Sequence, residues 1–573
     1  MAKRIHVNGI VQGVGFRPFV YQLANRNHLT GNIANTPGGV SILIQGPPEK
    51  IERFIETLTE KKPPLSLITD ISTEKETLQK ISGFTILKSR LGEGMTTLIS
   101  PDVSVCDDCL KELFDTADRR FRYPFINCTN CGPRYTIIDD TPYDRSKTCM
   151  RHFQMCAACQ TEYDDPTDRR FHAQPNACAV CGPGLTLLDA HAIPLGVSDP
   201  ITEAAGLLKQ GRIVAIKGLG GFHLAVDATD ETAVARLRQR KYREEKPFAL
   251  MAYDLDHVTG FAVVEAPEEA LLTSPQRPIV IIKKRNNHFI ADSVSPNNNY
   301  FGVMLPYTPL HYLLLREGFS ALVMTSGNIS EEPVCIDNQD AFERLGDIAD
   351  YFLVHNRDIY LRSDDSIVRH VAGDASFIRR SRGYVPIPVF LNQASEPVLA
   401  CGAELKNTVC LIKGNQAFLS QHIGDLENIQ TDAFFKMTID HLKRILDIEP
   451  GIIACDLHPR YLSTQYAEAL DGVEMIQIQH HHAHLVGCMA ENRIRGPVIG
   501  LSFDGTGYGS DGNIWGGEVM LADLDRFTRA ARLVYVAMPG SSAAIKEPWG
   551  TAGGYSYHAL GGSLRGFGLE SYP

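Results

Sequence analysis

The chain has 573 residues and a formal net charge of −11, with a pI near 6.0. This length is too great for one hydrophobic core and predicts roughly three to five domains. The acidic balance argues against a nucleic-acid-binding protein, and no apolar run approaches the roughly 20 residues of a membrane span. Fourteen cysteines without a secretory signal predict a cytoplasmic protein whose thiolates hold metal.

The first predicted domain spans residues 1–91 and has an α+β pattern. Arg4 to Val11 alternates like a strand, a helix begins near Pro18, and a hairpin is predicted around the turn at 36–39. A second helix, from Glu49 to Lys61, precedes two further strand-like runs. The order βαββαβ predicts a ferredoxin-like fold.

A glycine-rich loop joins the first predicted strand to the first helix. Gly13 and Gly15 allow backbone N–H groups to converge on an anion, and Arg17 is able to bind phosphate oxygens bidentately. The glycines alone also fit a tight turn beside a surface arginine. The segment resembles acylphosphatases over nearly its full length. This resemblance implies that the loop holds a phosphoryl group, that Arg17 binds it and that Asn35 positions the attacking water.

Residues 98–190 contain two C-x2-C-x18-C-x2-C units that lie fifty positions apart. The spacing suits two tetrahedral zinc ions, and a complete thiolate set predicts structural rather than catalytic zinc. Ordinary buried thiols or disulfides are the competing interpretation. The eight predicted ligands are Cys106, Cys109, Cys128, Cys131, Cys156, Cys159, Cys178 and Cys181.

Three further residues near these units are alternatives to a thiolate ligand, namely Cys149, His152 and His172. Zinc modules often contact nucleic acid, and the charge of this segment bears on that function. Between Cys106 and Cys181 there are ten Lys and Arg against twelve Asp and Glu. A phosphate-reading surface needs a positive excess, and the module is therefore predicted to be a structural platform.

Residues 196–391 have an α/β pattern. Lys241, Arg243 and Lys246 form a run of cations spaced to leave the body of the protein, and Ser326 and Asn328 follow a predicted strand. A solvated charge run would explain the cations alone. Together the segments resemble the YrdC family, which makes carbamoyl-adenylate from ATP. The resemblance implies that these five residues contact nucleotide phosphates or the activated carboxylate, with Arg379, Arg380 and Arg382 closing the site.

Residues 396–573 begin with a new strand pattern. His480 and His484 are four positions apart, so on a helix they share a face and are able to chelate one metal, while His481 points away. A histidine stripe on a helix surface is the alternative. Asp504 ends a strand before a glycine-rich turn and is a candidate third ligand. The segment resembles TsaD-type transfer domains and an actin/hexokinase-like ATPase fold.

All four segments, in this order, resemble the HypF family of hydrogenase-maturation carbamoyltransferases. The resemblance rests on VQGVGFRPF at 11–19, the doubled cysteine motif, the cation run, HHHAH at 480–484 and FDGTG at 503–507. It implies use of carbamoyl phosphate and of ATP with Mg, a further divalent metal (Fe or Zn) at the histidine pair, and transfer of the carbamoyl group to the C-terminal cysteine of a HypE-type acceptor. Because the family continues past residue 573, we expect the C-terminal lobe of the transfer domain to be missing.

Two other function classes are compatible with parts of this pattern. The first is an enzyme of tRNA threonylcarbamoyladenosine synthesis, because YrdC-like and TsaD-like domains serve that pathway. The acylphosphatase-like domain, the zinc pair and the acidic charge argue against it. The second is a non-catalytic zinc scaffold, which would turn over no nucleotide.

Overall fold

The structure, a computed structural model, describes residues 1–36, 39–87, 98–141, 143–330, 332–540 and 543–562. Pro37 and Gly38 of the predicted hairpin turn lie outside the described residues, as do residues 88–97 between the first domain and the cysteine module. In the described parts of the chain, no helix is long and apolar enough to cross a membrane.

The first domain has a five-stranded antiparallel and parallel sheet with two helices. Its elements are β1 (Ala2–Ile10), α1 (Phe16–Arg26), β2 (Thr30–Thr36), β3 (Gly39–Gln45), α2 (Pro48–Glu60), β4 (Leu67–Glu76) and β5 (Phe84–Ile86). The strand order is β4-β1-β3-β2-β5. Alternation along β1 places Ile5 and Val7 in the core, where α1 contributes Val20 and α2 contributes Phe54. The predicted ferredoxin-like fold is confirmed.

The cysteine module has little regular structure. Each unit contributes one short helix after its first cysteine, α3 (Asp107–Phe114) and α4 (Ala157–Asp164). Buried residues of the module belong to two larger cores. Cys109 and Ile137 pack in the core that extends into the next domain, whereas Tyr135 and Ile138 pack in the core shared by the first and last segments. This arrangement is that of the predicted structural platform.

The third segment forms one mixed sheet of eleven strands flanked by helices, and this sheet also takes in β6 (Leu185–Asp189) from the end of the segment predicted as the cysteine module. Its strands are β6 (Leu185–Asp189), β7 (Val214–Lys217), β8 (Phe222–Asp227), β9 (Ala249–Met251), β10 (Ala262–Val263), β11 (Ile279–Lys284), β12 (Tyr300–Met304), β13 (Leu322–Ser326), β14 (Tyr351–His355), β15 (Ile367–Val371) and β16 (Asp374–Arg379). Its helices are α5 (Pro200–Lys209), α6 (Glu231–Arg240), α7 (Leu255–Thr259), α8 (Ala266–Thr273), α9 (Pro309–Leu315) and α10 (Asn338–Leu345). The order is β16-β15-β11-β12-β9-β13-β8-β7-β14-β6, with β10 beside β11. The prediction of an α/β segment is confirmed.

The last segment contains two smaller sheets. The first has the order β18-β17-β19-β20 and the second has the order β21-β22-β23. The strands are β17 (Val389–Ala400), β18 (Cys410–Leu419), β19 (Ile452–Asp456), β20 (Glu474–Ile478), β21 (Val498–Tyr508), β22 (Ile514–Ala522) and β23 (Phe527–Arg532). The helices are α11 (Ile429–Leu446), α12 (Leu462–Glu468), α13 (His480–Glu491), α14 (Ala543–Lys546) and α15 (Pro548–Ala559).

Candidate functional sites

The phosphate-loop candidate lies between β1 and α1. Gly13 and Gly15 have φ angles of 70° and 76°, a left-handed conformation that glycine adopts without steric cost. Arg17 lies in the first turn of α1 and lines a small cavity with both glycines. Burial lowers the pKa of Arg17, and no carboxylate in the described residues lies within ion-pairing distance of it. Its guanidinium is therefore available to an anion.

The cysteine module forms the opposite wall of this cavity. Thr129, Tyr143, His172 and Gln174 line it together with the loop. The module packs closely against the loop, because a Cβ atom added at Gly15 would lie only 2.9 Å from Asn130 Oδ1. The zinc platform therefore limits the space beside the loop.

Asn35 does not line the cavity. It lies in β2 opposite Val40 of β3 and is 8% exposed. The neighbouring Gln12 ties the loop to this hairpin by donating from Nε2 to the carbonyl oxygens of Thr36 and Gly39 at 2.8 and 2.7 Å. The water-positioning role of Asn35 stays a prediction.

The two cysteine clusters have the geometry of zinc sites. In the first, Sγ of Cys128 lies 3.7 Å from Cys106 and 3.8 Å from Cys131. The second repeats these separations, with Sγ of Cys178 lying 3.8 Å from both Cys156 and Cys181. A tetrahedron with Zn–S bonds of about 2.3 Å has edges of about 3.8 Å. The two clusters fit two structural zinc ions, each held by four thiolates.

The alternative ligands lie elsewhere. Cys149 is buried and burial raises the pKa of its thiol. His172 stacks on Tyr163, with ring centroids 5.0 Å apart, and faces the phosphate cavity. His152 contacts Arg151. None of the three belongs to a cluster of metal-binding atoms among the described residues.

The repeated Asp-Arg-Arg-Phe sequence connects the two cysteine units by non-covalent contacts. Arg119 Nη2 of the first unit lies 3.3 Å from Cys159 Sγ of the second, and Arg169 Nη1 of the second lies 3.1 Å from Cys109 Sγ of the first. Glu162 and Glu112 hold these arginines by ion pairs. Each unit therefore places positive charge beside the thiolates of the other, which favours the thiolate form needed for zinc.

A cavity with a volume of about 360 Å³ lies on the third segment's sheet. Arg243, Lys246 and Ser326 line it, as predicted for a nucleotide site. Arg243 stacks on Phe248, and burial together with neighbouring arginines lowers its pKa to about 10. A cavity of this size with a cationic rim fits a nucleotide.

Lys241 and Asn328 lie behind this cavity rather than in it. Contrary to the expectation that the cation run leaves the protein body, Lys241 is only 3% exposed. Its Nζ donates to the Ser326 carbonyl at 2.7 Å and to Asn328 Oδ1 at 2.8 Å. Three cations so close together would repel one another, and these oxygens stabilise the innermost one. Lys241 therefore fixes the end of β13, where Ser326 lies, and the loop that follows it.

The arginines at 379–382 separate into different roles. Arg379 lines the nucleotide cavity. Arg380 instead donates to the carbonyls of Tyr384 and Ile387. Arg382 is buried and pairs with Asp365 at 2.6 Å. Of the three arginines expected to close the site, only Arg379 lines the cavity, because β16 ends at Arg379 and the two later arginines bond to groups inside the protein.

Two adjacent carboxylates also line the nucleotide cavity, Asp364 and Asp365. His422 of the last segment contacts Asp364 through Nδ1 at 2.8 Å. Burial raises the pKa of Asp364, but the charge of Arg379 and the hydrogen bond from His422 outweigh it and leave the pKa at about 2. The last segment is thus directly linked to the nucleotide cavity.

The histidine pair forms a candidate metal centre with Asp504. Nε2 of His480 lies 3.2 Å from Nε2 of His484 and 2.8 Å from Asp504 Oδ2. Ligand bonds of about 2.0–2.2 Å give separations of this size. His481 points into the protein and is fully buried. The residues present therefore fit a divalent metal.

Some functional candidates were missed by sequence reasoning. Asp456 Oδ2 lies 2.6 Å from Nδ1 of His480, an arrangement that orients metal-binding histidines. Asp364 and Asp365 were also missed. Asp456 is the last residue of β19. Because β19 pairs in parallel with β20, which leads into α13, this end of β19 lies beside His480.

Family profiles match successive parts of the chain. An acylphosphatase profile matches residues 3–86, a HypF finger profile matches 105–138 and 155–188, and a profile described as telomere recombination matches 206–381. A HypF Kae1-like domain profile matches 393–491, and the second subdomain of a carbamoyltransferase Kae1-like domain matches 500–568. The candidate metal centre takes ligands from both of these last regions. The fold and these sites define a multidomain carbamoyltransferase that carries an acylphosphatase domain.

The chain belongs to the HypF carbamoyltransferase family. Carbamoyltransferase HypF2 of Cupriavidus necator is 48% identical over 583 residues, which cover 97% of this chain and 72% of that protein. A crystal structure of full-length HypF in a phosphate- and nucleotide-bound form superposes with a TM-score of 0.92 at 48% identity and covers 98% of this chain and 74% of that one. HypF of T. kodakarensis superposes with a TM-score of 0.89 at 44% identity, covering 97% and 72%.

Proposed function

We propose that this chain hydrolyses carbamoyl phosphate, adenylates the resulting carbamate with ATP and passes the carbamoyl group to an acceptor thiol. The observation that carries the proposal is the placement of an anion loop and a nucleotide-sized cavity in two domains that both pack against the cysteine module. The phosphate and nucleotide bound by the similar full-length HypF support the same two ligands here.

The first step belongs to the loop of Gly13, Gly15 and Arg17. Loop N–H groups and the Arg17 guanidinium bind the phosphoryl oxygens and stabilise the charge that develops during transfer. Water attacks phosphorus, the bond from phosphorus to the acyl oxygen breaks, and phosphate and carbamate leave. Asn35 is proposed to orient that water. The wall formed by the zinc platform limits entry of bulkier acyl phosphates.

The second step takes place in the cavity of Arg243, Lys246 and Ser326. A carbamate oxygen attacks the α-phosphorus of ATP, bound with Mg, and pyrophosphate leaves, which forms carbamoyl-AMP. Arg243 and Lys246 face the cavity and neutralise phosphate charge. Lys241 and Asn328 are proposed to act in this site by holding the loop that presents Ser326.

The third step is assigned to the last segment. An acceptor thiolate attacks the carbamoyl carbon, AMP leaves, and a thiocarbamate forms. By the family's role, the acceptor is the C-terminal cysteine of a HypE-type protein on the route to the cyanide ligands of [NiFe]-hydrogenase. A divalent metal held by His480, His484 and Asp504 would supply Lewis-acid polarisation, while Asp456 fixes the orientation of His480.

The proposal is tested by following pyrophosphate release from ATP in the purified protein. Carbamoyl phosphate should support release, with one phosphate formed for each pyrophosphate. L-Threonine with bicarbonate should not, and release with that pair instead would indicate threonylcarbamoyl-adenylate chemistry. Absence of release with either donor would favour a non-catalytic scaffold. Transfer is then followed as carbamoyl label on the terminal cysteine of a HypE-type protein, with a Cys→Ala acceptor as control.

A further inference from the structure

The two cysteine units differ at the position directly after their shared Asp-Arg-Arg-Phe sequence. The first unit has Arg122 there and the second has His172. Each residue has a left-handed backbone with a φ of 54°. Each also donates its N–H to a carbonyl in the short helix of its own unit, at 2.8 Å in the first and 3.0 Å in the second. The repeat therefore fixes the backbone at this position, while the side chain differs.

The two side chains make different contacts. Arg122 Nη2 pairs with Asp199 at 2.9 Å and with Glu317 at 3.5 Å, so it attaches the cysteine module to the third segment. His172 instead lines the phosphate cavity. Its ring stacks on Tyr163 with an interplanar angle of 11°. This stacking orients the imidazole and uses neither of its nitrogens.

Most polar side chains around the phosphate cavity are already bound to other protein groups. Gln174 Oε1, for example, accepts hydrogen bonds from the Arg145 backbone N–H and the Tyr163 hydroxyl, both at 2.8 Å. In the part of the chain that the structure describes, neither the Arg17 guanidinium nor the His172 imidazole forms a hydrogen bond to another protein group. These two side chains are available to a ligand. The polar side chains of the cavity that are hydrogen-bonded within the protein are those of Thr129, Arg134, Tyr143 and Gln174.

The two available groups belong to different domains. Arg17 lies on the first domain beside Gly13 and Gly15, whereas His172 lies on the cysteine module that forms the opposite wall. In the proposed function, on which this inference rests, the loop and Arg17 hold the phosphoryl end of the substrate. The acyl end then faces the cysteine module. His172 is therefore placed to contact the acyl group rather than the phosphoryl group.

The imidazole of His172 is able to accept a hydrogen bond at neutral pH. Partial burial and the positive charge of Arg17 lower the pKa of His172, against the opposing effect of Asp144 and Asp164. A neutral imidazole has one N–H and one bare nitrogen that accepts. A carbamoyl group offers an amide N–H to such an acceptor, whereas an acetyl group has a methyl in the same place.

We propose that His172 is a specificity-determining residue that accepts a hydrogen bond from the –NH2 group of carbamoyl phosphate. The loop and Arg17 bind the phosphoryl end, which all acyl phosphates share, so they do not distinguish one acyl group from another. The contact that distinguishes them comes from the cysteine module. The second cysteine unit thus has a part in substrate recognition in addition to its structural zinc site.

The test compares carbamoyl phosphate with acetyl phosphate, in which –CH3 replaces –NH2 at similar size. Phosphate release gives kcat/KM for both substrates in the unmodified chain and in His172→Phe, after subtraction of uncatalysed hydrolysis. Phenylalanine keeps a ring to stack on Tyr163 and removes both nitrogens. The ratio of the carbamoyl to the acetyl value should fall about three- to tenfold, as expected for the loss of one hydrogen bond.

The matched control is His152→Phe. His152 lies in the same module, contacts Arg151 and does not line the cavity, so the ratio should stay that of the unmodified chain. If His172→Phe does not fold, His172→Gly allows the same comparison, because glycine adopts a left-handed backbone without steric cost.

A ratio that is unchanged in the His172 variants would overturn the proposal. This includes an equal fall in both values, because a purely structural role of His172 would affect the two substrates alike. Hydrolysis of neither substrate by the unmodified chain would refute the first step of the proposed function, and this inference with it. Hydrolysis of both substrates, with the same ratio in all variants, would overturn this inference alone.

Discussion

Replacement of Arg17 by alanine should abolish carbamoyl phosphate hydrolysis while leaving the fold intact. Arg17 lines the phosphate cavity and has no carboxylate partner in the described residues. Removing one oriented donor to a developing anionic charge costs a factor on the order of 10²–10³ in rate, or about 2.7–4 kcal/mol. Since Arg17 is a buried cation without an ion pair in the described residues, its removal should not lower the free energy of unfolding.

The assay is phosphate release from carbamoyl phosphate at saturating substrate, together with a thermal melt of the same preparation. Arg4→Ala is the matched control, because Arg4 lies in the same domain but pairs with Glu76 on the sheet and does not line the cavity. Arg145→Ala is a second control, in which the stability of the protein is expected to fall. Arg145 Nη1 donates to the Asn176 carbonyl at 2.9 Å and Nη2 to the Phe153 carbonyl at 2.7 Å, so its loss should destabilise the cysteine module.

Hydrolysis that is unchanged in Arg17→Ala would refute the assignment of the loop. A large fall in the melting temperature of the same variant would show instead that Arg17 supports the fold, and the rate loss would then say nothing about phosphate binding.

Three further outcomes are expected. Glu112→Gln should lower zinc retention in a chelator competition, because Glu112 pairs with Arg169, which contacts Cys109; zinc retention equal to that of the unmodified chain would contradict this role of the arginine. Asp456→Asn should weaken metal binding at His480 by about 10–100-fold without loss of zinc from the cysteine clusters, whereas unchanged affinity would remove Asp456 from the centre. Asp364 has a pKa of about 2 in the folded chain, below its unfolded value of about 3.9. Its contribution of about 2.6 kcal/mol should therefore be complete above about pH 5 and be lost progressively as the pH falls towards about 1; the acid transition of Asp364→Asn should lack this component in chemical unfolding curves.

Local patterns predicted much of the fold and the sites. The cysteine repeat, the loop glycines and the four-residue spacing of His480 and His484 are short-range signals, and each set of residues comes together in the structure. Strand register and the packing of one domain against another could not be predicted in this way, because they depend on contacts between segments far apart in sequence. No local pattern indicates that Lys241 turns inward to the loop after β13.

The same reason explains the missed residues. Asp456 reaches His480 only because β19 and β20 are parallel neighbours. Asp364 meets His422 across a domain boundary. The wall that His172 and Gln174 add to the phosphate cavity follows from the docking of the zinc platform on the first domain. Sequence spacing carries no information about such long-range contacts.

We propose that hydrolysis and adenylation occur in sequence at two separate sites. This is tested by measuring phosphate and pyrophosphate release together, from carbamoyl phosphate and ATP, in the unmodified chain, Arg17→Ala and Arg243→Ala. We expect both products from the unmodified chain, neither from Arg17→Ala, and phosphate alone from Arg243→Ala. Pyrophosphate release that persists in Arg17→Ala, or loss of both products in a folded Arg243→Ala, would contradict it.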